Sequence, residues 1–172
     1  MRRLVLLLVC ACALVALVPA AAPGARLRQV ELPRLFAADL AEVKATSGVP
    51  VLVPQFLPSR ARRHVPSTSA EPGSYALALG AVRNCGGATA CFIASFEAER
   101  GARPDFRRKV QLTGGRTGYF KPLSCGASCS PPVVQFVEGG VLYTIAANVG
   151  TKATERELLV RMANSAIKRG PR

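Results

Sequence analysis

Val133-Val134-Gln135-Phe136-Val137, then Glu138-Gly139-Gly140, then Val141-Leu142-Tyr143-Thr144-Ile145 is the stretch from which the architecture unfolds. Apolar residues alternate in both runs, and the adjacent glycines permit the positive φ that a tight turn needs. The pattern predicts a β-hairpin over 133–149. Downstream, Leu158, Leu159, Met162, Ala163, Ala166 and Ile167 recur at helical spacing and make one apolar stripe. Thr154 with Glu157 reads as a capping box, Lys168 and Arg169 complement the helix dipole, and Gly170-Pro171 ends the helix.

Upstream of the hairpin, three more runs alternate with period two, the mark of a sheet with one buried side. Over 75–82, Tyr75, Leu77 and Leu79 share a face; over 91–99, Phe92, Ala94 and Phe96 alternate against Ile93, Ser95 and Glu97. Over 106–112, Phe106, Val110 and Leu112 lie with Arg108, and Arg107, Lys109 and Gln111 lie opposite. Tyr119-Phe120 continues the meander. Residues 58–73, rich in Pro, Ser and Arg, read as a flexible loop. Val51-Leu52-Val53 between Pro50 and Pro54 predicts a short strand, and Pro33 opens a helix carrying Phe36, Leu40 and Val43 that stops at Ser47-Gly48. This order predicts an α+β fold: an N-terminal helix, a mostly antiparallel sheet of about six strands, and a C-terminal amphipathic helix packed on it.

The first residues set the compartment. Met1-Arg2-Arg3, an apolar run over 4–18 and small residues to Ala25 describe a secretory signal peptide. Cleavage is placed after Ala20, within a window of 20–25, which gives a leader over 1–20 and a single exported domain over 21–172. The competing readings are a lipoprotein acylated at Cys12 and an uncleaved anchor. The remainder, about 150 residues, is long enough for one domain that buries roughly two thirds of its unfolded surface. No second apolar span follows. With Cys10 and Cys12 in the leader, Cys85, Cys91, Cys125 and Cys129 are the mature set. Sequence proximity favours Cys85–Cys91 and Cys125–Cys129, each worth about 2 kcal/mol by loop entropy; crossed pairing would staple more distant segments. The five- and three-residue spacers suit neither tetrahedral zinc nor a C-x-x-C redox pair.

The formal net charge is +13, with eighteen Arg, five Lys and ten acids. Such an excess favours polyanionic neighbours, although a GC-rich genome also writes arginine freely. Arg100, Arg103, Arg107 and Lys109 form the candidate polyanion patch, around one turn and one strand face. Arg161, Lys168, Arg169 and Arg172 form a second basic patch on the outer side of the last helix. With no Trp and three Tyr, base stacking is poorly provided for, so sequence-specific nucleic-acid binding is not expected.

Catalytic constellations are scarce. His64, the one histidine, sits in Arg60-Ala61-Arg62-Arg63-His64, where neighbouring cations suppress its proton affinity. Glu97 and Glu99 share a strand face and read as surface charges; there is no G-x-S-x-G, H-E-x-x-H or P-loop. Gly114-Gly115-Arg116-Thr117-Gly118 reads as a hairpin turn, not a phosphate loop.

Several short pieces together resemble a family. They are Val51-Leu52-Val53-Pro54 with Leu57-Pro58, the paired glycines before Tyr119-Phe120, Glu138-Gly139-Gly140-Val141-Leu142-Tyr143, and Leu158-Leu159 with Met162-Ala163-Asn164-Ser165-Ala166-Ile167. Over roughly 51–170 this layout resembles small exported bacterial domains of unknown function, of the kind found at the outer end of some anti-sigma factors and envelope lipoproteins. The resemblance implies an α+β domain in the bacterial envelope and carries over no catalytic residue. Phe136 stands where tryptophan is expected, and two cysteine pairs are added. The expectation is an exported, non-enzymatic binding or structural domain of the periplasm, cell surface or medium, using no cofactor and meeting an anionic envelope polymer or a protein. The alternatives are a secreted inhibitor presenting the disulfide-bounded loop 125–129, and a small basic hydrolase using His64 or the carboxylates.

Overall fold

The computed structural model describes residues 27–85 and 88–172; the signal-peptide reading, with Cys10 and Cys12, falls outside them. In chain order the elements are β1 (Arg28–Glu31), α1 (Leu32–Leu35), α2 (Leu40–Ser47), β2 (Phe56–Ser59), β3 (Val65–Glu71), β4 (Ser74–Gly80) and β5 (Phe92–Arg100). They continue with β6 (Lys109–Gln111), β7 (Thr117–Lys121), β8 (Ser124–Cys125), β9 (Cys129–Ser130), β10 (Val133–Glu138), β11 (Val141–Ala147) and α3 (Glu155–Arg169). Seven strands form one antiparallel sheet in the order β3-β4-β5-β11-β10-β7-β6, while β1-β2 and β8-β9 are separate ribbons. The α+β architecture expected from the sequence is present, with α3 packed on the sheet.

Register divides the sheet into two faces. Tyr75, Leu77 and Leu79 of β4 oppose Ala98, Phe96 and Ala94 of β5, which oppose Tyr143, Ile145 and Ala147 of β11; beyond lie Phe136, Val134 and Phe120. All are buried, against α2, α3 and the chain around Val49–Val53. The turn of the β10–β11 hairpin is Gly139-Gly140, with φ of 57° and 76°, values at which an L side chain is strained. Along α3, Leu158, Leu159, Met162, Ala163 and Ala166 are buried, as their spacing predicts.

Five local expectations give way to tertiary context. Residues 65–71, expected in a flexible loop, are the edge strand β3; Pro66 is tolerated because an edge strand leaves one row of amides unpaired. Residues 51–53 are buried yet form no strand, and their polar partners are the Tyr75 hydroxyl for Leu52 and the Arg172 amide for the Val51 carbonyl, with Tyr143 holding the preceding Pro50. The Tyr75 hydroxyl accepts from Leu52 N at 3.0 Å, and Tyr143 donates to the Pro50 carbonyl at 2.8 Å. The N-terminal helix breaks into α1 and α2, and the strand over 106–112 shrinks to Lys109–Gln111. The capping box does not form: the Thr154 hydroxyl accepts from Thr151 N at 3.0 Å and leaves the amides of α3 alone. Glu155 takes the more consequential place. Only 3% exposed at the first turn of α3, where the helix dipole favours a negative charge, it accepts from Leu123 N at 3.1 Å and ties the cysteine loop to the helix.

Two outcomes follow. Glu155→Ala strands the Leu123 amide and should lower unfolding stability by about 1–3 kcal/mol, whereas Glu155→Gln keeps an acceptor and should lose less; urea midpoints at constant m-value read the difference. Burial, and then Glu138, push the Tyr143 hydroxyl up to about 12, and burial raises Tyr75 as well. An unfolded tyrosine ionises near about 10, so above that pH the unfolded chain sheds protons that the folded one retains. Stability should therefore fall as pH rises from about 10 towards 12, and Tyr143→Phe should flatten that slope in pH-dependent denaturation.

Candidate functional site

The two disulfides pair as sequence proximity favours, Cys85 with Cys91 and Cys125 with Cys129. The second closes the β8–β9 ribbon, whose tip is drawn in by Gly126 N donating to the Ser128 carbonyl at 2.9 Å and whose base is held by Glu155. This loop is exposed and anchored at both ends.

The expected polyanion patch does not assemble as one stripe. Arg100 ends β5 opposite Val141, on the core side of the sheet, and its Nη2 donates to the Gly48 carbonyl at 2.7 Å. Lys109 opens β6, four strands away and about 19 Å across at ordinary strand spacing. Arg103 and Arg107 are exposed on the segment between them. The sequence pattern treated these four as neighbours because they are close along the chain, but the chain here crosses the sheet. Lys109 gains a different partner, Arg156 on the first turn of α3. Together with Val110, Gln111, Glu157 and Val160 they line a groove of about 410 Å³ along the β6 edge. Because β6 pairs with β7 alone, the backbone groups of Lys109 and Gln111 on its outer side are unpaired. The groove joins two cations, a bare strand edge and one carboxylate, Glu157, which lies 3.8 Å from Arg161. Arg156 was missed because it lies 47 positions from Lys109 and carries no motif.

The second basic patch also changes. Arg161, Lys168 and Arg169 are exposed on α3, but Arg172 folds back: its amide donates to the Val51 carbonyl, and its buried Nε and Nη2 have no hydrogen-bond partner among the described residues.

The hydrolase candidates do not converge. His64 Nε2 lies 2.9 Å from the hydroxyl of Ser59, a residue the sequence reading passed over. Ser59 is 2% exposed, and its hydroxyl also accepts from Ala61 N at 3.1 Å, so the pair fastens the turn between β2 and β3. Burial lowers the proton affinity of His64 below its ordinary value. No carboxylate bonds to its ring among the described residues. Glu97 and Glu99 point together from β5 onto the face opposite the core. Arg116, in the glycine-flanked turn, is engaged by Glu138, with Nη2 to Oε1 at 2.7 Å; that contact holds the Glu138 carboxyl below the usual range. Among the described residues no group of three His, Cys, Asp or Glu side chains is placed to hold a metal ion, and no helix is long and apolar enough to cross a membrane.

Comparison with known proteins gives no match to a family model, to a curated protein or to a solved structure.

Proposed function

We propose that this protein is an exported, non-enzymatic binding domain of the bacterial envelope, and that it meets an anionic polymer along the groove between β6 and α3. The observation that carries the reading is that Lys109 and Arg156 both line one groove beside an unpaired strand edge. Two ammonium or guanidinium groups on one groove suit repeating phosphates or carboxylates, and the outward amides of β6 offer neutral donors between them. Export is supported by the leader pattern over 1–20, by two short-range disulfides that belong in an oxidising compartment, and by the resemblance to envelope domains. The surplus of cations over acids steers such a partner from a distance, while the groove gives it a place to rest.

A second reading has its own observation. The Cys125–Cys129 loop is exposed, closed by a disulfide and anchored through Glu155, which is how a secreted inhibitor presents a rigid segment to a partner protein.

Heparin serves as a probe polyanion for the first reading. The disulfide-intact protein should be retained and eluted by moderate salt. Lys109→Glu with Arg156→Glu should elute at clearly lower salt than Arg62→Glu with Arg63→Glu, a control of equal charge change at exposed positions away from the groove. Equal elution of the two double variants would remove the groove from the account.

A further inference from the structure

On the face of the sheet opposite the core, one row of residues runs through all seven strands: Ser69, Ala76, Glu97, Thr144, Gln135, Tyr119 and Lys109. The segment from Gly101 to Arg108 lies across the middle of this row. Gln135, 4% exposed, accepts from Asp105 N at 2.9 Å and donates to the Asp105 carboxylate and the Thr144 hydroxyl, each at 3.3 Å. The cover stops there. Over β3, β4 and β5 the face is an open trough made of two adjoining hollows, of about 390 and 260 Å³, that share Glu97.

The floor of the trough is small. Ser67, Ser69, Ala76 and Ala78 occupy positions where an exposed sheet face ordinarily carries long or β-branched side chains, so another chain can approach the strands closely. The rim of the larger hollow is acidic, with Glu71, Glu97 and Glu99 all exposed, whereas the smaller one is lined by Glu97 together with Arg83. In a chain with more than twice as many cations as acids, none of the three forms an ion pair among the described residues; the two pairs present are Arg116–Glu138 and Arg161–Glu157. A further polar group is left open. Ser95 is 8% exposed and lines the smaller hollow beside Glu97, and its hydroxyl makes no hydrogen bond among the described residues.

We propose that this trough is a binding site for an extended peptide segment carrying lysine or arginine side chains. The seven residues of β4 give it a length of about 23 Å, enough for some six residues of extended chain. Three steps from β3 to β11 give a width of about 14 Å, more than the ~10 Å separation of stacked sheets. Glu71, Glu97 and Glu99 receive the ammonium or guanidinium groups, and Ser95 supplies a hydroxyl on the floor of the smaller hollow. The protein as a whole repels such a ligand at long range. At physiological ionic strength that repulsion is screened beyond about 8 Å, while contacts within the trough persist.

Fluorescein-labelled hexalysine, titrated against the disulfide-intact protein at about 0.15 M salt and followed by anisotropy, tests the site. Saturable one-to-one binding is expected, with hexa-(N-acetyl-lysine) inert because acetylation removes the charge. Glu97→Gln with Glu99→Gln should weaken binding at least about tenfold. Ala76→Phe should do the same by filling the floor without changing charge. Lys168→Gln with Arg169→Gln should leave the affinity within about twofold, because both are exposed on α3, which packs on the other face of the sheet. Thermal melts confirm that each variant is folded. Absence of saturable binding would overturn the proposal, as would binding indifferent to Glu97→Gln with Glu99→Gln and to Ala76→Phe. Sedimentation of the wild type as a dimer that Glu97→Gln with Glu99→Gln dissociates would assign the trough to a second copy of this chain, and would also overturn it.

Discussion

Between Arg100 and Lys109 the chain leaves the third strand of the sheet and re-enters it as the seventh, so it must pass over β11, β10 and β7. The core face is already occupied by α2, α3 and the chain around Val49–Val53, so only the opposite face is free. The lateral span is about 19 Å, with a descent of some 10 Å because Lys109 lies level with Glu97. The direct path is therefore about 21 Å, and nine steps of chain reach about 30–32 Å when extended but only about 14 Å as a helix, so the crossing must be made in open backbone. Residues 102–108 accordingly form no regular element, although the alternation over 106–112 predicts a strand from Phe106. Gln135 makes the crossing a fixed structure by answering both the amide and the carboxylate of Asp105 from a buried position. A glutamine at the centre of a strand would otherwise cost the burial of an unpaired amide.

Both candidate surfaces descend from this crossing. It carries Lys109 to the far edge of the sheet, where Arg156 waits on α3, and it stops short of β3, β4 and β5, leaving their outer face uncovered. The two surfaces have opposite charge and sit at opposite ends of one sheet. A domain built this way has the means to hold an anionic polymer on one side and a cationic segment on the other. Neither surface needs a moving part.

What the sequence disclosed depended on whether the cause was local. The hairpin at Gly139-Gly140 and the stripe of α3 from Leu158 to Ala166 are set by turn chemistry and periodicity, and the structure reproduces both. The disulfide pairing followed from short separation. Residues 51–53 and 65–71 were misread for complementary reasons. The first has strand-like residues but neighbouring prolines and no partner strand, and Tyr75 and Arg172 meet its backbone from more than twenty residues away. The second has loop-like residues but an edge position, where polar side chains and Pro66 carry little penalty. That the four cations do not form one stripe is not legible in the sequence, because nothing between Arg100 and Lys109 announces that the chain crosses three strands; Gln135, the anchor of that crossing, looks like any solvent-facing residue of an alternating strand. Arg156, Ser59 and Ser95 acquire their roles only through neighbours distant in sequence.

Native-state hydrogen exchange at the Asp105 amide tests the anchored crossing most directly. Held by Gln135, this amide should exchange at least about tenfold more slowly than an unstructured one, and Gln135→Leu should release it while the core amides of β10 and β11 stay protected. Exchange at the unstructured rate in the wild-type protein would contradict the account, because the crossing would then be a free loop and neither surface would have a fixed boundary.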